Sequence, residues 1–231
     1  MYRDRAVLCF ILARGGSKGL QRKNTLMIGG KPLIAHTIDI AHQVKYIDKV
    51  FVSTEDKEIK EIARKHNAAV IDRPMELAVD TANYLDAVKH MITQITSSDK
   101  NPIVVILEPT FPIRKVEHVE KCIEMYESNI DVVASISKVK THPSHMFKIK
   151  DNLLQSYLKI PFVSNRQQAE PLFAINGSII VSGCNFLKNQ ETIFEGRMKG
   201  FLLDDKHSLD IDTQFDFQLC KFMLESNDIQ L

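Results

Sequence analysis

The sequence predicts an α/β fold: a three-layer arrangement in which a mostly parallel sheet carries helices on both faces. Short β-branched runs alternate with amphipathic stretches of helical period along the first 136 residues, the rhythm of consecutive strand–helix units. The run Val104-Val105-Ile106-Leu107 is continuously apolar, as expected of a strand covered on both faces. Turn-forming residues separate the segments at spacings too short for long independent helices.

Taken in order, strands are expected over residues 7–12, 49–53, 69–71, 103–107 and 132–136, and helices over 32–43, 56–66, 81–96 and 116–127. Pro32 falls in the first turn of the first helix, where a missing N–H costs nothing. Ile34, Ile38 and Ala41 then share one face of it. Asp80 is the expected start of the third helix. Between about Lys138 and Asn176 the rhythm breaks into short apolar pieces around Thr141-His142-Pro143, which reads as an inserted hairpin-like subdomain, about residues 138–175. Ser178–Val181 reads as a further strand and residues 214–225 as a closing helix. In such sheets ligands bind where loops leave the carboxyl ends of the strands. That gathers residues 14–24, 53–56 and 108–114 around one crevice.

The whole chain is 231 residues, the size of one domain with a modest insertion. Its 44% hydrophobic and 26% charged content is that of a soluble globular protein. A net charge of +1 gives no global field for nucleic acid or an acidic membrane, so neither is expected as a partner. No apolar run approaches the ~20 residues needed to span a bilayer, and the N-terminus shows no signal-peptide pattern. Cys9, Cys122, Cys184 and Cys220 are scattered, which fits buried free thiols in a reducing, cytoplasmic setting better than a disulfide framework.

The chemistry concentrates in "ARGGSKGLQRKN", residues 13–24. No acid occurs between Asp4 and Asp39, whereas Arg14, Lys18, Arg22 and Lys23 all fall within this loop. Gly15, Gly16 and Gly19 allow close backbone approach and present N–H groups to oxygens. The combination suits a polyphosphate; the alternative is a solvated basic turn. Neither G-x-x-x-x-G-K-[ST] nor G-x-G-x-x-G is present. In "SLDIDT", Asp210 and Asp212 are two apart, so an extended segment turns both carboxylates to one side. Two hard oxygen donors there suit Mg²⁺ held with substrate phosphates. Equally, Asp212 is a good cap for the helix that follows. Arg73, beside Pro74, reads by default as a surface charge. His142 and His145 lack a third ligand and read as ordinary. No G-x-S-x-G elbow activates Ser17.

In ordered blocks over nearly its whole length, the chain resembles the acylneuraminate cytidylyltransferases, or CMP-sialic acid synthetases. The blocks are "ARGGSKGLQRKN", "KPLIAHTIDIA", "VFVSTEDKEIKEIA", "RPMELAVDTA", "LEPTFPIR", "NRQQAEPLFAINGSI" and "HSLDIDTQFDF". The resemblance implies a Rossmann-like, nucleotidyltransferase-type fold and a Mg²⁺-dependent reaction. In that reaction the anomeric hydroxyl of a nine-carbon 2-keto sugar acid attacks the α-phosphorus of CTP, giving a CMP-sugar and pyrophosphate. It further implies that Arg14, Gly15, Gly16, Ser17, Lys18 and Asn24 hold the nucleotide, with Arg73, Ala82 and Tyr84 along the cytidine. It assigns Asp210 and Asp212 to the metal, Lys23, Asp212 and Arg166 to catalysis, and Glu108, Arg166 and Gln167 to the sugar acid. A homodimer is implied through residues 138–171, with a tetramer left open.

Several positions depart from the family pattern. Glu108 replaces the usual Gln of "LQPTSPLR", losing two amide donors and adding a charge near an anionic substrate. Phe111 and Ile113 replace Ser and Leu in the same block, Leu12 and Gln21 stand where Pro is common, and Tyr84 where Ser is frequent. Gly19 resembles the neuraminate and legionaminate branches. The expected substrate is thus N-acetylneuraminate or its legionaminate relative, with pseudaminate, 3-deoxy-octulosonate or a non-catalytic nucleotide-sugar-binding role as the alternatives.

Overall fold

A computed structural model describes residues 1–17, 19–95, 101–164 and 170–226. β1 (Val7–Leu12) is buried along its whole length, with every side chain packed into one of two layers. Val7, Cys9 and Ile11 meet the cluster that contains Ile34, Ile38, Ile59 and Val119, whereas Leu8, Phe10 and Leu12 meet Leu85, Val88, Met91 and Leu187. Alternation on one strand therefore builds both interfaces of a three-layer structure.

After β1 come a two-residue hairpin, β2 (Met27–Ile28) and β3 (Lys31–Pro32), and α1 (Leu33–Gln43). β4 (Lys49–Thr54), α2 (Lys57–Lys65), β5 (Ala69–Asp72) and α3 (Tyr84–Gln94) follow, then β6 (Ile103–Leu107), α4 (Val116–Met125) and β7 (Val132–Lys138). The chain continues through β8 (Phe147–Lys150), β9 (Leu153–Ser156), β10 (Phe173–Gly183), α5 (Cys184–Asn189), β11 (Met198–Leu202) and α6 (Gln214–Glu225). The central sheet has seven strands in the order β11-β7-β10-β6-β1-β4-β5, and β10 alone runs antiparallel to its neighbours.

This order places the crevice. The chain steps outward from β1 through β4 to β5, then crosses back so that β6 pairs with the other side of β1. The loops leaving the carboxyl ends of β1 and β6 diverge there, at a topological switch point, where such sheets bind ligands.

Several boundaries differ from the sequence reading. Pro32 precedes α1 rather than lying in its first turn, because it pairs with Met27 in the small hairpin. α3 begins after Asn83, whose side chain accepts from Leu85 N at 2.9 Å. Asp80 starts no helix; its carboxylate is taken by Arg14, 2.6 Å away. β10 extends back to Phe173, so the last part of the expected insertion is continuous with the central sheet and pairs with β7 from Phe173↔Lys138. A register shift follows between Ile175 and Ile180. The β8–β9 pair stands apart as a separate two-stranded sheet.

Arg114 is fully buried below the crevice. Its guanidinium donates to the Ser178 carbonyl, to the Glu108 carbonyl at 2.7 Å and to Thr37 Oγ1 at 3.0 Å. A buried cation persists when fixed acceptors replace its hydration. Here they are supplied by the loop after β6, the start of the core part of β10 and α1, which Arg114 ties together. All four cysteines are buried and free. Among the described residues no helix is long and apolar enough to cross a membrane.

Candidate active site

Two adjoining cavities occupy the switch point. The larger, about 580 Å³, is lined by residues that include Arg14, Ser17, Gly19, Lys23, Asn24 and Asp212. The smaller, about 270 Å³, is lined by residues that include Arg73, Ala82, Asn83 and Tyr84. Leu12, Arg14, Asp80 and Glu108 border both. The Arg14–Asp80 ion pair, 2.6 Å long and partly exposed, lies on that shared border.

The basic loop is held by acids from three other segments. The Gly15 N–H donates to Glu55 Oε1 at 2.7 Å, beyond β4. Arg22, in the left-handed region at φ 53°, pairs with Asp56 at 3.2 Å and with Glu58. Lys23 Nζ donates to the Ile211 carbonyl at 2.6 Å and to Asp212 Oδ1 at 2.9 Å. The sequence showed an acid-free loop; the fold supplies its counter-charges from a distance. Asn24 is buried and donates to the Arg14 carbonyl at 3.0 Å, while its Oδ1 has no hydrogen-bond partner.

Two glycines are required by space. A Cβ on Gly15 would lie 2.6 Å from Asp56 Oδ2, and one on Gly19 would overlap the carbonyl oxygen of Asp212. Gly19 thus lets the basic loop close against the carboxylate segment, a role that periodicity and composition do not signal. Gly16 meets nothing within 4 Å and remains open on that side.

The carboxylate segment is extended. Ile211 is buried among Ile28, Leu33, Ile113 and Phe217, and its N–H donates to the Thr110 carbonyl at 3.0 Å. Asp210 accepts from the Thr110 side chain, yet its Oδ1 is buried without a partner. Burial raises the Asp210 carboxyl above the usual range; Thr110 opposes this and Asp212 adds to it. Asp212 is 71% exposed at the side chain and does not cap α6. The cap is Thr213, which exchanges hydrogen bonds with Asp216 in a capping box. The capping alternative for Asp212 is therefore overturned. An orphaned buried carboxylate oxygen two residues from an exposed carboxylate is a donor set that fits a hard divalent cation.

Arg73 is not a surface charge: it is 8% exposed and donates to Ser53 Oγ at 3.0 Å and the Ser53 carbonyl at 2.9 Å. Desolvation lowers its pKa, with the acidic neighbours Glu55, Tyr84 and Glu108 opposing. Glu108 is pushed up by burial, with Tyr84 opposing and Asp210 adding to the rise. Of the expected site residues, Arg14, Ser17, Lys23, Asn24, Arg73, Ala82, Tyr84, Glu108 and Asp212 line the two cavities, whereas Gly15, Gly16 and Asp210 lie beside them in the same segments and line neither. Lys18, Arg166 and Gln167 lie outside the described residues. Glu55, Asp80 and Thr110 were not singled out from the sequence as site residues; each acts through a partner in another segment, Gly15, Arg14 and Ile211 respectively.

A phosphate-type loop facing a carboxylate segment, at the switch point of a mostly parallel sheet, defines a nucleotidyltransferase-like architecture. A family model described as Cytidylyltransferase matches residues 8–207, and the chain belongs to that family. It is 35% identical over 218 residues to the N-acylneuraminate cytidylyltransferase of Streptococcus agalactiae serotype V, covering 91% of this chain and 51% of that protein. The chain therefore spans about half the length of that relative. It is 32% identical over 228 residues to the CMP-N,N'-diacetyllegionaminic acid synthase of Legionella pneumophila, covering 96% of this chain and 97% of that one. Among solved structures, CMP:2-keto-3-deoxy-manno-octonic acid synthetase complexed with CTP superposes with a TM-score of 0.74 at 18% identity, covering 96% and 99% of the two chains. The 4-diphosphocytidyl-2C-methyl-D-erythritol synthase of Anaerococcus prevotii gives 0.69 at 16% identity, covering 95% and 98%. At these identities the two structures establish the shared fold.

Proposed function

We propose that the protein transfers CMP from CTP to the anomeric hydroxyl of a nonulosonic acid of the N-acetylneuraminate or legionaminate type, releasing pyrophosphate. The observation that carries this reading is the convergence of Lys23, Arg14 and Asp212 at one switch-point cavity, with Asp210 hydrogen-bonded to Thr110 of its wall. The legionaminate type gains support from the Legionella relative, which matches this chain over essentially the full length of both.

The larger cavity takes the triphosphate. Lys23, now neutralised by Asp212, and Arg14, now neutralised by Asp80, are the cations that an incoming polyphosphate draws away from their internal partners. Gly16 and Ser17 bring backbone close to the phosphates. Cytidine lies in the smaller cavity along Arg73, Ala82 and Tyr84. Asp210 and Asp212 would hold Mg²⁺, which supplies neutralisation of the charge that develops on the phosphates. Because phosphoryl-type transfer needs chiefly positioning, the chain's own contribution is to align the α-phosphorus with the acceptor hydroxyl and to counter charge on the leaving pyrophosphate. The sugar acid meets Glu108 on the shared wall, with Arg166 and Gln167 assigned to it by resemblance.

We further propose a cytoplasmic homodimer. Phe147, Ile149, Leu153, Leu154, Tyr157 and Phe162, on and just after the β8–β9 hairpin, are exposed. A cluster of large apolar side chains of this kind marks an association surface. Pyrophosphate release measured with each of the four nucleoside triphosphates and a panel of sugar acids tests the reaction. The reading requires release with CTP and a nine-carbon acid; release with none of them would remove the enzyme assignment.

A further inference from the structure

Two histidines outside the crevice meet where its carboxylate segment begins. His207 lies in the turn after β11, three residues before Asp210, and His118 is the third residue of α4, shortly after the 108–114 loop. Their rings pack edge-on with centroids 4.7 Å apart, and Phe201 of β11 lies 5.9 Å from the His118 ring on a tilted approach.

The hydrogen bonds fix both tautomers. His207 Nδ1 is 2.7 Å from Asp204 Oδ1, an oxygen that also accepts from the His207 backbone N–H at 2.9 Å. A carboxylate only accepts, so Nδ1 carries a proton, and in the neutral ring Nε2 keeps a lone pair. That Nε2 is buried without a partner. His118 Nδ1 accepts from the Lys115 N–H at 3.3 Å, completing the start of α4, which leaves the proton on Nε2. The two rings therefore meet by edge-on packing, without a hydrogen bond to His207 Nε2. Groups facing His118 are His207, Glu117, Lys115 and Asp204. Burial and His207 push the His118 imidazole down to about 4, so it is neutral in ordinary buffers.

We propose that His118 and His207 are a positioning pair, clamping the start of the Asp210–Asp212 segment to the helix that follows the 108–114 loop. The middle of the segment is already fixed, through the Ile211 N–H to Thr110 and the Ile211 carbonyl to Lys23, and its far end through the Asp212 N–H to Asp216. Without the pair, the turn that leads into Asp210 would lose its contact with α4, leaving Asp210 held on that side by Thr110 alone. This inference rests on the metal role of Asp210 and Asp212 given above. Neither histidine lines the two cavities, so both would act through the carboxylates.

The test separates clamp from helix cap. His118→Asn keeps an oxygen where Nδ1 accepts from Lys115 but removes the ring edge, whereas His118→Ala removes both. His207→Asn keeps a donor toward Asp204 and removes the contact with His118. Mn²⁺ binding in the presence of CTP is titrated by electron paramagnetic resonance, beside a thermal melt and the CTP KM. The expected result is a 5- to 20-fold weaker Mn²⁺ affinity in both Asn variants, with the CTP KM changed less than threefold and the melt cooperative. Wild-type Mn²⁺ affinity in a folded His118→Asn or His207→Asn variant would overturn the clamp. So would restoration by His118→Asn of an affinity lost in His118→Ala, since the cap alone would then explain it. Absence of Mn²⁺ binding by the wild type, with or without pyrophosphate release, would overturn the metal reading and the clamp with it.

Discussion

Lys23 Nζ lies 2.9 Å from Asp212 Oδ1 and 2.6 Å from the neighbouring Ile211 carbonyl, joining the basic loop to the carboxylate segment from 189 residues away. The same lysine therefore neutralises Asp212 in this structure and faces the cavity assigned to the triphosphate. Removing Asp212 deletes the proposed metal donor without removing a cap or a core side chain. Asp212→Ala is expected to lower kcat by about 100-fold or more, the scale of losing a charge-stabilising group in a preorganised site. Its melting temperature should stay within a few degrees of wild type. Near-normal turnover in a steady-state assay would remove Asp212 from the metal site.

Gly19 is where the two segments touch. Adding a single methyl group drives it into the Asp212 carbonyl, so Gly19→Ala must displace one loop or the other. Overpacking of this size costs about 1–3 kcal/mol. The expected outcome is a melting point lowered by several degrees together with a several-fold higher Mg²⁺ requirement for turnover. A variant with wild-type melting and wild-type Mg²⁺ dependence would show that the close approach is not used.

Glu108 borders both cavities and has a raised pKa, chiefly from burial. A carboxyl that holds its proton more tightly when folded stabilises most below its unfolded pKa, and that contribution is lost as pH rises through the folded value. Glu108→Gln removes the titration, so its melting temperature should exceed that of wild type by more at pH 8 than at pH 4. It should also change the preference among sugar acids several-fold. Unchanged rates and preference would place Glu108 away from the acceptor.

His118 gives the opposite slope. Its imidazole is lowered to about 4 by burial and by His207. As pH falls from ~6.5, the unfolded imidazole takes up a proton that the folded one refuses. The stability contribution is therefore complete above the unfolded value and lost progressively down to about pH 4. Urea unfolding of wild type and His118→Asn at pH 7.5 and 5 should show the variant losing less stability on acidification. Equal losses would mean that His118 is not the group responsible.

Much of the architecture was readable because burial leaves a pattern. β6 is continuously apolar and covered on both faces, and Ile34, Ile38 and Ala41 of α1 are buried as their helical spacing predicts. β11 was not legible: Met198-Lys199-Gly200-Phe201-Leu202 lies at the sheet edge and is only partly buried, so neither apolar continuity nor clean alternation marks it. Gly200 is there because Ile136 of β7 packs against it, a contact with no local signature. Asp80 misled because Asp is a good helix cap; the competing partner, Arg14, is 66 residues away. In the site, the basic loop and the paired carboxylate that stand at the crevice were legible as sequence patterns. Glu55 and Thr110, which bond to them, and the His118–His207 contact were not, because each is defined by a contact across elements.

The most direct measurement is phosphorus-31 NMR of the protein with CTP, Mg²⁺ and N-acetylneuraminate or a legionaminic acid. The account predicts loss of the triphosphate signals with matched growth of pyrophosphate and of a CMP phosphodiester, in wild type and not in Asp212→Ala. Unchanged CTP in wild type with every acid supplied, or equal conversion by Asp212→Ala, would contradict it.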